Sequence, residues 1–186
     1  MTLSRLNIHA VEATVEAAKA IGFTGMGFSR LVPCGSGQSL LESMLTPQEI
    51  KDVYEKIPGW SSPSFDVASG DPLAGVLSTP PPSPDCILAL SGCSAGFSGV
   101  TITSNGSVMP CRRIGVKAGN LHKTSLRHIW STSPILWKLR QRENYTGKCG
   151  NCPRWPSCRG CRAIAYAWSK MQGAPDLFAD DPQCWI

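Results

Sequence analysis

The chain lacks any apolar run near the ~20 residues that cross a bilayer. Its opening, MTLSRLNIHA, lacks the apolar stretch of a secretory signal. The reading therefore places it in the cytoplasm, with no membrane partner. Acids are nearly missing from Arg112 to Lys170, where Glu143 stands alone against thirteen Lys and Arg. A basic segment of this kind suits nucleic acid, a membrane surface, an acidic peptide or an internal negative charge. No nucleic-acid motif occurs, and no aromatics alternate with the basic residues, so nucleic acid is not the expected partner. Histidine is scarce: His9, His122 and His128 share no metal-binding spacing, and His128 in SLRHIW reads as part of a solvated face. Ser91, Ser94 and Ser98 have no His or Asp at a nucleophile spacing, which removes a hydrolase reading and leaves the catalytic residues unknown.

Cysteine is what the chain has in plenty. There are nine in 186 residues, an odd number that does not suit a complete disulfide framework. Reduced, clustered thiols in a cytoplasmic setting bind metal or do redox work. Eight of them lie in the second half: Cys86, Cys93, Cys111, Cys149, Cys152, Cys158, Cys161 and Cys184. Eight thiols suffice for two tetrathiolate sites, and their softness favours iron-sulfur or zinc. Cys149, Cys152, Cys158 and Cys161 crowd into KCGNCPRWPSCRGCRA, where Pro153, Pro156 and Gly160 turn the chain between them. A zinc ribbon separates its CxxC pairs by roughly 15–20 residues. Here five residues intervene, which disfavours a plain ribbon but leaves other zinc arrangements open.

Periodicity predicts an α/β fold. Ile8, Val11, Val15, Ala18 and Ile21 mark a helix over 7–21, and FTGMGFSRLV over 23–32 reads as a strand ended by PCGSG. TLSRL reads as the end of an earlier strand. Thr46, Pro47 and Glu49 form the signature of a capped helix, with Ile50, Val53, Tyr54 and Ile57 along its apolar stripe. Strand-helix-strand-helix is the repeat of a parallel sheet or barrel, and two units cannot close a barrel. On that architecture the sequence starts partway round it. Residues 59–85, ending STPPPSPD, read as a Pro/Ser/Gly-rich linker with little regular structure. Beyond it, Asn105-Gly106 between β-branched runs predicts a hairpin. Ser133-Pro134 opens a helix with Ile135, Leu136 and Leu139, and Ile164, Ala167, Trp168 and Met171 form another helical face stopped by Gly173. Trp130, Trp137, Trp155 and Trp168 are expected in the second-half core.

CSAGFSGVTITSNGSVMPC, GNLHKTSLRHIW, CGNCPRWPSCRGCRAIAY and the late DPQC together resemble the SPASM domain, the auxiliary-cluster domain of many radical S-adenosylmethionine (SAM) enzymes. Cys93, Gly106, Cys111, the group from Cys149 to Cys161, and Cys184 follow its order. FSRLVPCGSG is similar, more weakly, to a strand-loop of the radical SAM partial barrel. The resemblance implies the tail of a partial (β/α) barrel over 1–58, the linker over 59–85, and a small α+β SPASM domain over 86–186. It implies two 4Fe-4S clusters. One would take Cys93, Cys111 and Cys161, with Cys86 either a fourth ligand or a linker thiol. The other would take Cys149, Cys152, Cys158 and Cys184. The two residues between Cys158 and Cys161 resemble the haem-pathway branch, some of whose members carry a single auxiliary cluster. The clusters' negative charge would offset part of the basic excess.

The same resemblance makes Arg30, Gly35 and Gly37 candidates for contact with SAM or substrate; a surface Arg and a plain turn are the alternatives. Cys34 stands where relatives have Thr and reads as a buried small residue. The CxxxCxxC loop that binds the SAM-cleaving cluster occurs nowhere in the sequence. SAM would thus be used only with a barrel half supplied separately. The expected role is the auxiliary-cluster portion of an oxidoreductase acting by radical chemistry on a peptide or tetrapyrrole. The alternatives are a zinc- or cluster-folded binding module, or an electron carrier.

Overall fold

A computed structural model describes residues 1–78 and 91–186. Cys86 and part of the expected linker lie outside the described residues. The first part is a parallel sheet in the order β1 (Thr2–Leu3), β2 (Gly25–Arg30), β3 (Asp66–Ser69). Helix α1 (Val11–Ala20) joins β1 to β2, and α2 (Pro47–Trp60) joins β2 to β3. Val11, Val15 and Ala18 of α1 and Ile50, Val53 and Tyr54 of α2 bury their apolar faces in one core with Leu3, Phe28 and Val67. Ile21 does not join them. The helix ends at Ala20, Gly22 turns the chain at φ +86°, and Ile21 is left 73 % exposed. The start of α2 is fixed as its sequence predicts. Thr46 Oγ1 accepts the Glu49 N–H at 3.2 Å, and the Glu49 carboxylate accepts the Thr46 N–H at 2.7 Å.

The linker reading of 59–85 requires correction over its described part. Residues Asp66–Ser69 pair with β2 in parallel, from Gly25 opposite Asp66 to Phe28 opposite Ser69. A Cβ at Gly25 would lie 2.5 Å from the Asp66 carbonyl oxygen, so glycine is what lets these strands approach. Asp71 Oδ1 accepts the Leu73 N–H at 2.8 Å and opens α3 (Pro72–Ser78). Proline and serine density hides a third strand-helix unit, which buries Phe65, Val67, Leu73 and Val76 and leaves Leu77 exposed.

The second part carries an antiparallel sheet of β4 (Thr101–Ile102), β5 (Ser107–Met109) and β6 (Gly119–Asn120). The Gly106 N–H donates to the Thr103 carbonyl at 2.9 Å, and Gly106 takes φ +74°, which makes the turn between β4 and β5. Helices α4 (Leu126–Thr132) and α5 (Pro134–Leu139) pack Ile129 and Leu136 on Val108. Short α6 (Gly147–Asn151) and the longer α7 (Arg162–Met171) frame the cysteine-rich loop. Trp137 departs from expectation: it sits on the outer face of α5 and is 55 % exposed. His128 is exposed, as its position predicts.

The two parts share their cores. Leu31, Val32 and Met44 from the first pack with Ala95, Ile114, Leu139, Ile164 and Leu177 from the second. Cys158, Cys184 and Trp185 pack in turn on the core of the parallel sheet. Among the described residues no helix is long and apolar enough to cross a membrane.

Candidate metal centre

Cys149, Cys152, Cys158 and Cys184 line one cavity of about 260 Å³, together with Pro153, Trp155 and Gly160. Each is placed by local backbone chemistry. Cys149 sits in α6, where the Asp180 carboxylate accepts the N–H groups of Lys148 and Cys149 at 3.0 and 2.8 Å. Cys152 caps the same helix. A 3-10 turn over Trp155–Ser157 leads to Cys158, whose sulfur accepts the Gly160 N–H at 3.3 Å. Cys184 follows Asp181, to whose carbonyl it donates its N–H at 3.0 Å.

Between Cys158 and Cys161 the chain reverses. Arg159 and Gly160 take φ +63° and +58°, and Arg159 is the one described non-glycine residue at positive φ. Cys158 packs on the core of the parallel sheet, whereas Cys161 packs on the core shared by both parts, as do Cys93, Cys111 and Cys34. The reversal is braced by the Arg159 guanidinium. It is buried, lies 4.1 Å from the Phe97 ring, and donates to the carbonyls of Ser91, Cys93, Trp155 and Pro156. The Cys93 N–H donates to the Cys158 carbonyl at 3.0 Å, tying the loop before the hairpin to the cysteine-rich loop.

The thiols are hard to ionise where they stand. Burial pushes Cys158 up to about 12, against the smaller lowering effect of the Gly160 N–H. Cys161 is also pushed up to about 12, by burial first and then by the neighbouring Cys93. Burial raises Cys149 and Cys184 as well, with Cys184 adding to the rise at Cys149. Such thiols become thiolates when a cation arrives to replace their protons. Arg162 already supplies one positive group: buried, it donates from Nη2 to Cys149 Sγ at 3.6 Å. Burial works against its charge, but Cys149 and Tyr145 hold it above the ordinary arginine value. Arg159 and Arg162 show that part of the basic excess is internal rather than a binding face.

Arg30 is not a surface residue. It is 2 % exposed, with Nε on Asp71 at 2.8 Å, Nη1 on Asp181 at 2.8 Å and Nη2 on Asp181 at 2.7 Å. Asp181 Oδ2 also accepts the Cys161 N–H at 2.8 Å. Asp180 and Asp181 thus hold the backbone of Cys149 and Cys161. Neither stands out in the sequence reading; the available signal is the paired acid directly before PQC. Gly35 takes φ +56°, and a Cβ at Gly37 would come within 2.9 Å of the Val32 carbonyl oxygen, so both serve the turn after β2. Cys34, expected to be buried, is only partly so.

Residues 93–162 match SPASM, an iron-sulfur cluster-binding domain. The chain is 28 % identical to an AdoMet-dependent heme synthase of Methanosarcina barkeri, over 98 % of this chain and 54 % of that protein. It is 27 % identical to the mycofactocin maturase MftC of Mycobacterium ulcerans, over 99 % of this chain and 48 % of that protein. The chain therefore spans about half the length of the curated relatives it matches. The crystal structure of Streptococcus suis SuiB bound to S-adenosylmethionine superposes with a TM-score of 0.64 over all of this chain and 44 % of that one. At 16 % identity this establishes the fold alone.

Proposed function

We propose, on the premise that residues 93–162 are a SPASM iron-sulfur cluster-binding domain, that this chain is the auxiliary-cluster portion of a radical SAM enzyme. Cys149, Cys152, Cys158 and Cys184 hold one 4Fe-4S cluster. Cys93, Cys111 and Cys161 hold a second, with Cys86 as the candidate fourth ligand. The observation that carries this is the convergence of the first four thiols on one cavity.

The donor set fits. Four soft thiols line one cavity under apolar cover, with a backbone N–H and a guanidinium already directed at two of the sulfurs. A zinc ion needs thiolate sulfurs about 3.8 Å apart, since Zn–S is about 2.3 Å. Among the described residues no three of His, Cys, Asp and Glu converge closely enough to hold one ion. An iron-sulfur cluster takes up one electron at a time, at a potential set by the charges and donors around it. The chain's residues fix the sulfurs, shield them with Trp155 and Pro153, and place Arg159 and Arg162 where added negative charge is stabilised.

SAM cleavage belongs, on this reading, to a CxxxCxxC-bearing barrel half that completes the enzyme. The substrate class, a peptide or a tetrapyrrole, is carried over from the family resemblance, and the heme synthase relatives favour the tetrapyrrole. Anaerobic reconstitution with iron and sulfide tests the cluster assignment. The expected product is brown and holds about eight iron and eight sulfide per chain, or about four of each if only the first site forms. Colourless protein that takes up zinc and no sulfide would overturn it and favour the zinc-folded binding module.

A further inference from the structure

Two nitrogen donors near the thiols are buried without a partner among the described residues: Trp155 Nε1 and Arg162 Nε. A buried indole N–H usually finds an acceptor, because an unpaired one has given up its water and gained nothing in return. Trp155 is also the only tryptophan among the residues lining the four-thiol cavity. Its ring is held by edge contacts, with centroids 5.5 Å from Phe97 and 5.4 Å from Tyr145, so the indole has little freedom to turn toward water. Two other donors already reach sulfurs of this cavity, Gly160 N–H to Cys158 and Arg162 Nη2 to Cys149.

We propose that the Trp155 indole N–H is a tuning donor: it hydrogen-bonds to a sulfur of the cluster held by Cys149, Cys152, Cys158 and Cys184 and raises that cluster's reduction potential. This rests on the function proposed above. The physical ground is electrostatic. Reduction adds negative charge to the cluster, the sulfurs become better acceptors, and a fixed donor stabilises the reduced form more than the oxidised one. The tryptophan is a positioning and tuning residue. It holds no iron and need not touch a substrate.

The test is Trp155→Phe, which keeps an aromatic ring between Phe97 and Tyr145 while removing the donor along with part of the indole's volume. In a redox titration of the reconstituted protein, the relevant wave is the one that Cys152→Ala abolishes. The expected result is wild-type iron and sulfide in Trp155→Phe, with that wave moved to more negative potential. Pulsed EPR of the reduced protein after exchange into heavy water should also lose one deuteron coupling. An unchanged wave and unchanged coupling at full iron content would overturn the proposal and leave the cluster assignment standing. If Trp155→Phe fails to hold iron, wild-type protein with an isotopically labelled indole nitrogen decides: a nitrogen coupling at the reduced cluster supports the proposal, and its absence overturns it. Wild-type protein that takes up no iron overturns the proposal together with the function it rests on.

Discussion

Arg30 at the end of β2 and Asp181 three residues before Cys184 form a buried two-pronged ion pair, with nitrogen-oxygen distances of 2.8 and 2.7 Å. It joins residues 151 apart in sequence and ties the parallel sheet to the last turn of the second part. Gln183 strengthens the joint by donating to the Leu45 carbonyl at 2.7 Å. Asp181→Asn would leave the Arg30 charge half-compensated in a dry site. Breaking a buried pair in this way costs about 3–5 kcal/mol. Urea unfolding of the reconstituted protein should show a loss of that size. A loss under about 1 kcal/mol would mean that the pair contributes no more than a surface bridge.

Cys152→Ala and Cys34→Ala should separate ligand from bystander. Cys152 lines the four-thiol cavity, whereas Cys34 lies against the shared core at the turn after β2. Reconstituted Cys152→Ala should lose one cluster, about half the iron of a two-cluster protein. Cys34→Ala should keep all of it. Full iron in Cys152→Ala, measured by colorimetric assay, would remove Cys152 from the ligand set.

The raised thiols set a pH dependence for the iron-free protein. Cys158 and Cys161 are held up to about 12 by burial, against about 8.5 in an unfolded chain. Below about pH 8.5 both states carry the proton and the stability is intact. As pH rises beyond that, the unfolded chain releases protons the folded one retains, so stability falls until the folded thiols titrate. The thermal midpoint of iron-free protein should therefore drop steadily from about pH 9 upward. Iron-loaded protein should not show this slope, because its thiols have already given up their protons. Equal slopes with and without iron would argue that these sulfurs are not ligands.

Legibility in the sequence follows the range of the interaction. The start of α2 is readable because its donors and acceptors lie three residues apart, in Thr46 and Glu49. The hairpin is readable because Gly106 answers a local need for positive φ. Strand β3 escapes a sequence reading because four residues hold too little period to outweigh the prolines and serines around it. The burial of Arg30 is equally hidden, because its partners lie 41 and 151 residues away. The division of the thiols between two sites comes from the family resemblance. Spacing alone leaves one four-thiol site open, since the reversal at Arg159 depends on carbonyls as far away as Ser91.

The glycine before Cys93 offers the most local test of that division. Gly92 takes φ +79°, and a Cβ there would lie 2.5 Å from the carbonyl oxygens of Ser157 and Cys158. Those are main-chain atoms of the loop that carries a cavity thiol, and they cannot swing aside. The Cys93 N–H to Cys158 carbonyl bond at 3.0 Å would have to open. Gly92→Ala should thus disturb Cys93 and Cys158 together and lower iron at both sites. Gly173 is the matched control. Its φ is +83°, but a Cβ added there would meet no atom within 4 Å. Gly173→Ala should therefore show backbone strain alone, about 1–2 kcal/mol, with full iron. If the two variants lost equal stability and neither lost iron, the contact at Gly92 would be a matter of strain, and the loop before the hairpin would not be what holds the two thiol groups in register.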